Sequence, residues 1–208
     1  MRSGLLPPVG QADLSDNPPP EQAPPGWHYA LVPNFSEWLA GDVVLVQGSW
    51  GISAAQLTSL TRANRQGRAF THAGIYAGGG ELIDAMPNGG IAVRQIWTYA
   101  QKRTLALRRL PTLSDQERLD IVAAARRYVG TSYGWWAAAV SKLTPRFVPP
   151  QFIPGRRALY CSTLVSAAVE AGCGQQLDAL ATYRPLYPAA LSQHQALDEV
   201  ELEWRPKV

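Results

Sequence analysis

Three residues far apart in the chain, Cys161, His72 and Asp84, have side chains that together can activate a thiol. Cys161 stands in the stretch Tyr160-Cys161-Ser162-Thr163-Leu164-Val165, where an apolar helical pattern begins. Leu164, Val165 and Ala168 follow at the third, fourth and seventh places after it, so all four share one helix face. If that face is buried, Cys161 points into the protein from the first turn of a helix. There the free backbone N–H groups and the helix dipole favour a thiolate. The same placement suits an ordinary core cysteine, because free Cys is among the most buried residue types. A nucleophile also needs a base.

The chain has three histidines, His28, His72 and His194. His72 lies in Thr71-His72-Ala73-Gly74-Ile75-Tyr76, which alternates as a strand. Gly78-Gly79-Gly80 then reads as the turn of a hairpin whose second strand is Glu81 to Met86. A three-residue loop pairs Ala77 with Glu81 and Gly74 with Asp84. Asp84 then shares a face with His72, one diagonal step away, roughly 7–8 Å between backbones and within reach of a side-chain hydrogen bond. Gly74, directly opposite, leaves open space beside them. A loop of two or four residues would break this parity. A carboxylate on one ring nitrogen fixes the tautomer and favours the charged imidazole. A Cys–His pair with a third polar group that orients the base is the arrangement of a cysteine hydrolase.

These residues must be carried by a fold of modest size. The 208 residues suffice for one core. With 46% hydrophobic and 17% charged residues, the chain reads as globular. A formal net charge of +3, spread along the chain, gives little reason to expect nucleic acid as a partner. Two cysteines are too few for a disulfide framework or a zinc knuckle. If one helix joins Cys161 and Cys173, they sit about 18 Å apart along its axis, beyond disulfide reach. No apolar run is long enough for a transmembrane segment. Pro7 and Pro8 interrupt the N-terminal apolar residues, so no ordinary signal peptide is expected.

Residues 1–26, with Pro18-Pro19-Pro20 and Pro24-Pro25, read as a proline-rich mobile tail, and 27–208 as a single domain. Strands are expected near Trp27–Val32, at Val43–Val46 after Gly41-Asp42, in the hairpin, at Ile91–Ile96 and at Thr104–Leu110. A helix is expected over Ile52–Asn64. Another follows the capping box Ser114-Asp115-Gln116-Glu117 and runs to Tyr128 or Val129 before Gly130. A short helix at 135–143, a loop at Thr144–Pro154 with four prolines, the Cys161 helix ending at Gly172-Cys173-Gly174, a helix within Pro185–Gln193 and a strand over Leu197–Trp204 complete the chain. Strands early and helices late favour an α+β fold.

The ordered pieces resemble the circularly permuted NlpC-type papain-fold hydrolases, in particular the YiiX/YebB-like group. Papain-fold enzymes usually place Cys before His, and the permuted group reverses this, as here. Gly41-Asp42-Val43-Val44 resembles the opening strand, Thr71–Tyr76 the base-bearing strand, and Glu81-Leu82-Ile83-Asp84-Ala85 the next. Gly130-Thr131-Ser132-Tyr133-Gly134 resembles the segment before the nucleophile helix, and Pro188-Ala189-Ala190-Leu191 a late segment. The resemblance covers roughly residues 40–195. It departs at Asp84, where the group often carries Glu, and it does not reach the tail.

The resemblance implies an antiparallel sheet or partial barrel against helices, and a Cys161–His72–Asp84 triad acting through an acyl-enzyme without metal or cofactor. Tyr133, Tyr160, Ser162 and Gly74 are expected to contact substrate; for Tyr133 an aromatic core role is equally open. The implied substrate is a peptide or amide bond of peptidoglycan, with acyl-lipid hydrolysis or acyl transfer as the alternative in the same fold. Trp135-Trp136-Ala137-Ala138-Ala139-Val140 is either an acyl-chain wall or buried core. By analogy, a wall enzyme made in the cytoplasm without a signal peptide suggests non-classical export, as for a type VI effector, with an immunity protein or a secretion carrier as partner. A catalytically idle binding module is the non-enzymatic alternative.

Overall fold

The computed structural model describes residues 31–47, 70–100, 104–133, 159–177 and 188–206. The elements are β1 (Leu31–Pro33), a 3-10 turn (Phe35–Glu37), β2 (Val43–Gln47), β3 (Phe70–Gly78), β4 (Glu81–Met86), β5 (Gly90–Gln95), α1 (Trp97–Ala100) and β6 (Thr104–Arg109). They continue with α2 (Asp115–Arg126), α3 (Cys161–Cys173), α4 (Pro188–Leu191), β7 (Asp198–Val200) and β8 (Trp204–Pro206). Six strands form one antiparallel sheet in the order β5-β4-β3-β2-β6-β7, and β1 pairs with β8 in a separate ribbon. The class is α+β, as the sequence pattern suggests. The tail, the expected Ile52–Asn64 and 135–143 helices and the proline-rich loop lie outside the described residues.

The central strand β2 reads as a continuous apolar run because both of its faces are covered. Val43 and Leu45 join one core with Ala73, Ile75, Ile83 and Ala85, and with Ile121 of α2 and Leu164, Val165 and Ala168 of α3. Val44 and Val46 join a second core on the other face, with Phe35, Trp38, Tyr76, Leu82 and Tyr99. Each fully buried Leu or Val side chain contributes roughly 1.5–3 kcal/mol to such cores.

Two helices, α2 and α3, begin where the sequence places them. The Ser114 hydroxyl accepts from the Glu117 N–H and the Glu117 carboxylate accepts from the Ser114 N–H, closing the capping box of α2. At α3, the Thr163 hydroxyl accepts from the Tyr160 N–H at 2.9 Å and donates to the Tyr160 carbonyl. Gly174, at φ 75°, ends the helix in the left-handed conformation. Both cysteines at the ends of α3 are free. The two helices approach so closely that a Cβ on Gly172 would stand 2.5 Å from the Ile121 backbone.

Two expectations are corrected. The single strand over Leu197–Trp204 is two strands in different sheets, β7 and β8. The chain changes sheet between them, and Asn34 N–H holds the crossing by donating to the Glu203 carbonyl at 2.8 Å. The hairpin turn is Gly79-Gly80, with Gly78 opposite Glu81 and Ala77 bulged out of the ladder, rather than a three-residue loop with Ala77 opposite Glu81. One bulged residue plus a two-residue turn has the same parity as a three-residue loop, so Gly74 still pairs with Asp84.

A buried ion cluster ties the sheet to α2. Asp42 is fully buried and accepts from Arg109 Nε at 2.8 Å, Arg109 Nη2 at 2.7 Å, Arg118 Nη1 at 3.4 Å and the Leu39 N–H at 2.8 Å. Among the described residues no helix is long and apolar enough to cross a membrane.

Candidate active site

The β3–β4 register puts His72 and Asp84 on one face, and their side chains meet. His72 Nε2 lies 2.7 Å from Asp84 Oδ2, and both side chains are buried. Gly74 does not leave the open space expected between them. A Cβ there would stand 2.9 Å from both the Leu82 side chain and the Ile83 carbonyl, so Gly74 is bare because Leu82 packs across it.

Cys161 opens α3 at its first helical position, 7% exposed. Its thiol reaches the same ring. Burial alone pushes the His72 pKa down, but hydrogen bonds to Asp84 and Cys161, with the charges of both, raise it from 6.5 to about 9. At neutral pH the ring is therefore held as an imidazolium. Asp84 engages Nε2, which leaves Nδ1 as the ring nitrogen for the thiol. The site bridges the two cores: Cys161 comes from the helix that carries Leu164 and Val165, while His72 stacks on Tyr99 of the second core, centroids 5.5 Å apart.

Tyr133 comes beside Cys161 by way of the sheet edge. Ile91 of β5 donates its N–H to the Thr131 carbonyl and accepts from the Gly130 N–H, each at 2.9 Å. Gly90 permits this approach. Its φ is +60°, and a Cβ there would stand 2.3 Å from the Thr131 oxygen. Tyr133 packs against the first core, and burial, then the charge of Cys161, push its hydroxyl pKa upward, so it remains a proton donor. Tyr160 is half-buried at the cap of α3, and Ser162 is wholly buried behind Cys161.

Two residues were not anticipated. Arg94 donates to Asp84 Oδ1 and Tyr99 donates to Asp84 Oδ2. Arg94 was legible in principle: Asp84 pairs with Ala92, so Arg94, two residues on, shares its face. Tyr99 carries no such signal, since α1 is too short to announce itself and its approach to Asp84 is tertiary.

No protein-family model matches the chain, and no curated protein matches it. Among solved structures, its fold is similar to that of the metalloprotein yiiX from Escherichia coli O157:H7. The TM-score is 0.56 at 16% identity, over 80% of this chain and 98% of that one.

Proposed function

We propose that this chain is a cysteine hydrolase with a permuted papain-like arrangement, in which Cys161 is the nucleophile, His72 the acid–base and Asp84 the group that orients it. The observation that carries this reading is the His72–Asp84 contact at 2.7 Å beside a thiol at a helix start, with the ring held charged. The order His72 before Cys161 supports the permuted type.

In the resting site the Cys161 proton resides on His72, as a thiolate–imidazolium pair. The thiolate attacks an acyl carbonyl. In this reading the backbone N–H of Cys161, at the start of α3, helps hold the developing oxyanion, with the Tyr133 hydroxyl as a further donor. The imidazolium then protonates the leaving group. Water, deprotonated by the neutral ring, releases the acyl group and restores the thiol.

The named neighbour is a metalloprotein, but the donors at the His72–Asp84 site do not favour a metal there. Among the described residues no three His, Cys, Asp or Glu side chains cluster as ligands. The carboxylate beside His72 already holds the Arg94 guanidinium, which opposes a second cation there.

The substrate proposed is a peptide or amide bond of peptidoglycan, reached by non-classical export. The test incubates the full chain and Cys161→Ser with peptidoglycan fragments and, in parallel, phospholipid vesicles. New amine termini from the wall fragments, absent with a folded Cys161→Ser, are the expected result. Fatty acid release alone selects the acyl-lipid alternative, and turnover retained by Cys161→Ser overturns the mechanism.

A further inference from the structure

Asp84 has more partners than orienting one histidine requires. His72 Nε2 and the Tyr99 hydroxyl both lie on Oδ2, while Arg94 holds Oδ1. Arg94 is itself fixed by backbone. It donates to the Asp84 carbonyl at 3.3 Å and to the Gly89 and Gly90 carbonyls at 3.4 Å, so the β4–β5 turn sets where its charge sits.

Among the described residues, the groups that act on the His72 ring come from three elements. Asp84 reaches it from β4, Cys161 from α3, and the Tyr99 ring from α1. Val46 of β2 lies opposite and carries no charge. Tyr133 lies beside Cys161, and Arg94 of β5 pairs with Asp84. Within this set Arg94 is the one permanent cation. An ionised carboxylate shared among three donors places less of its charge on any one of them.

We propose that Arg94 and Tyr99 are positioning residues that share the charge of the Asp84 carboxylate and so limit how tightly it holds a proton on His72. A ring held too firmly as imidazolium is a poor acid toward a leaving group and a poor base toward water, because acid–base efficiency falls as the pKa departs from the working pH. This consequence rests on the hydrolase reading. The charge on the ring does not.

The test is the NMR titration of the His72 ring in the full chain, in Arg94→Gln, Arg94→Lys and Tyr99→Phe. In Arg94→Gln, Tyr99 still holds Oδ2, so the carboxylate keeps its aim and loses only the opposing charge. The titration moves up by about half a pH unit or more. Arg94→Lys keeps the charge and stays near the parent. Tyr99→Phe keeps the stacked ring, removes one donor and also moves the titration up; it carries the test if Arg94→Gln does not fold. An unchanged or lowered midpoint in the folded variant overturns the proposal. A Cys161 that alkylates like an ordinary thiol defeats the hydrolase reading instead, and leaves the ring titration to decide this one.

Discussion

At the scale of single residues, Asp84 is the hinge of the account. It is fully buried and offers its two oxygens to an imidazole, a phenol and a guanidinium. In Asp84→Asn the ring loses its charged partner, while burial still pushes its pKa down and only Cys161 is left to raise it. The His72 titration is expected to fall from about 9, and turnover to drop on the order of 10²–10⁴-fold, as for loss of a positioned acid–base group. A ring titration unchanged in Asp84→Asn contradicts the role given to that carboxylate. The raised pKa also has a stability consequence. Because the folded ring binds its proton more tightly than the unfolded one, its contribution is fully present below pH 6.5. It is lost as pH rises through about 9. Urea unfolding at a series of pH values should show stability falling across that window by a few kcal/mol on the order of magnitude. In His72→Ala the slope in that window should be much reduced.

At the scale of elements, the site depends on parity in a hairpin and on the close seating of two helices. Gly172 allows the second: its Cα faces the Ile121 backbone with no room for a Cβ. Gly172→Ala is expected to destabilise the protein by about 1–3 kcal/mol, because backbone cannot step aside as a side chain can. Its urea midpoint should fall, while Cys161 at the other end of α3 keeps its reactivity in the folded fraction. An unchanged midpoint refutes the close seating. The elements also show what a sequence reveals. The capping residues Ser114 and Glu117 and the helix from Cys161 to Cys173 were readable because their signals are local. The pairing of Gly74 with Asp84 was readable because alternation and turn length set it. The bulge at Ala77 was not, since a bulge and a longer loop leave the same parity. The change of sheet after Val200 was hidden for a different reason: it rests on Asn34, more than 160 positions away. Tyr99 was hidden in the same way.

At the scale of the whole molecule, one sheet separates two cores, and a buried ion cluster locks the sheet to a helix. Asp42 at the start of β2 joins Arg109 of β6 to Arg118 of α2. Asp42→Asn takes the paired carboxylate from both guanidinium groups, and Arg118 is almost wholly buried. Breaking a buried pair in this way costs about 3–5 kcal/mol. The expected result is a large loss of thermal or urea stability. The His72 titration in the remaining folded protein should not move, because Asp42 is not among the groups that shift it. A marginal change in stability would mean that the cluster is not what fastens α2 to the sheet.

The central claim is that Cys161 and His72 form a reactive thiolate–imidazolium pair. The measurement that tests it most directly is the rate of Cys161 alkylation against pH, in the intact chain and in His72→Ala, with Cys161→Ala as the blank for Cys173. The expected result is fast alkylation that persists well below the ordinary thiol pKa of about 8.5 and is slowed by loss of His72. A slow reaction that follows an ordinary thiol, and is the same in His72→Ala, contradicts it.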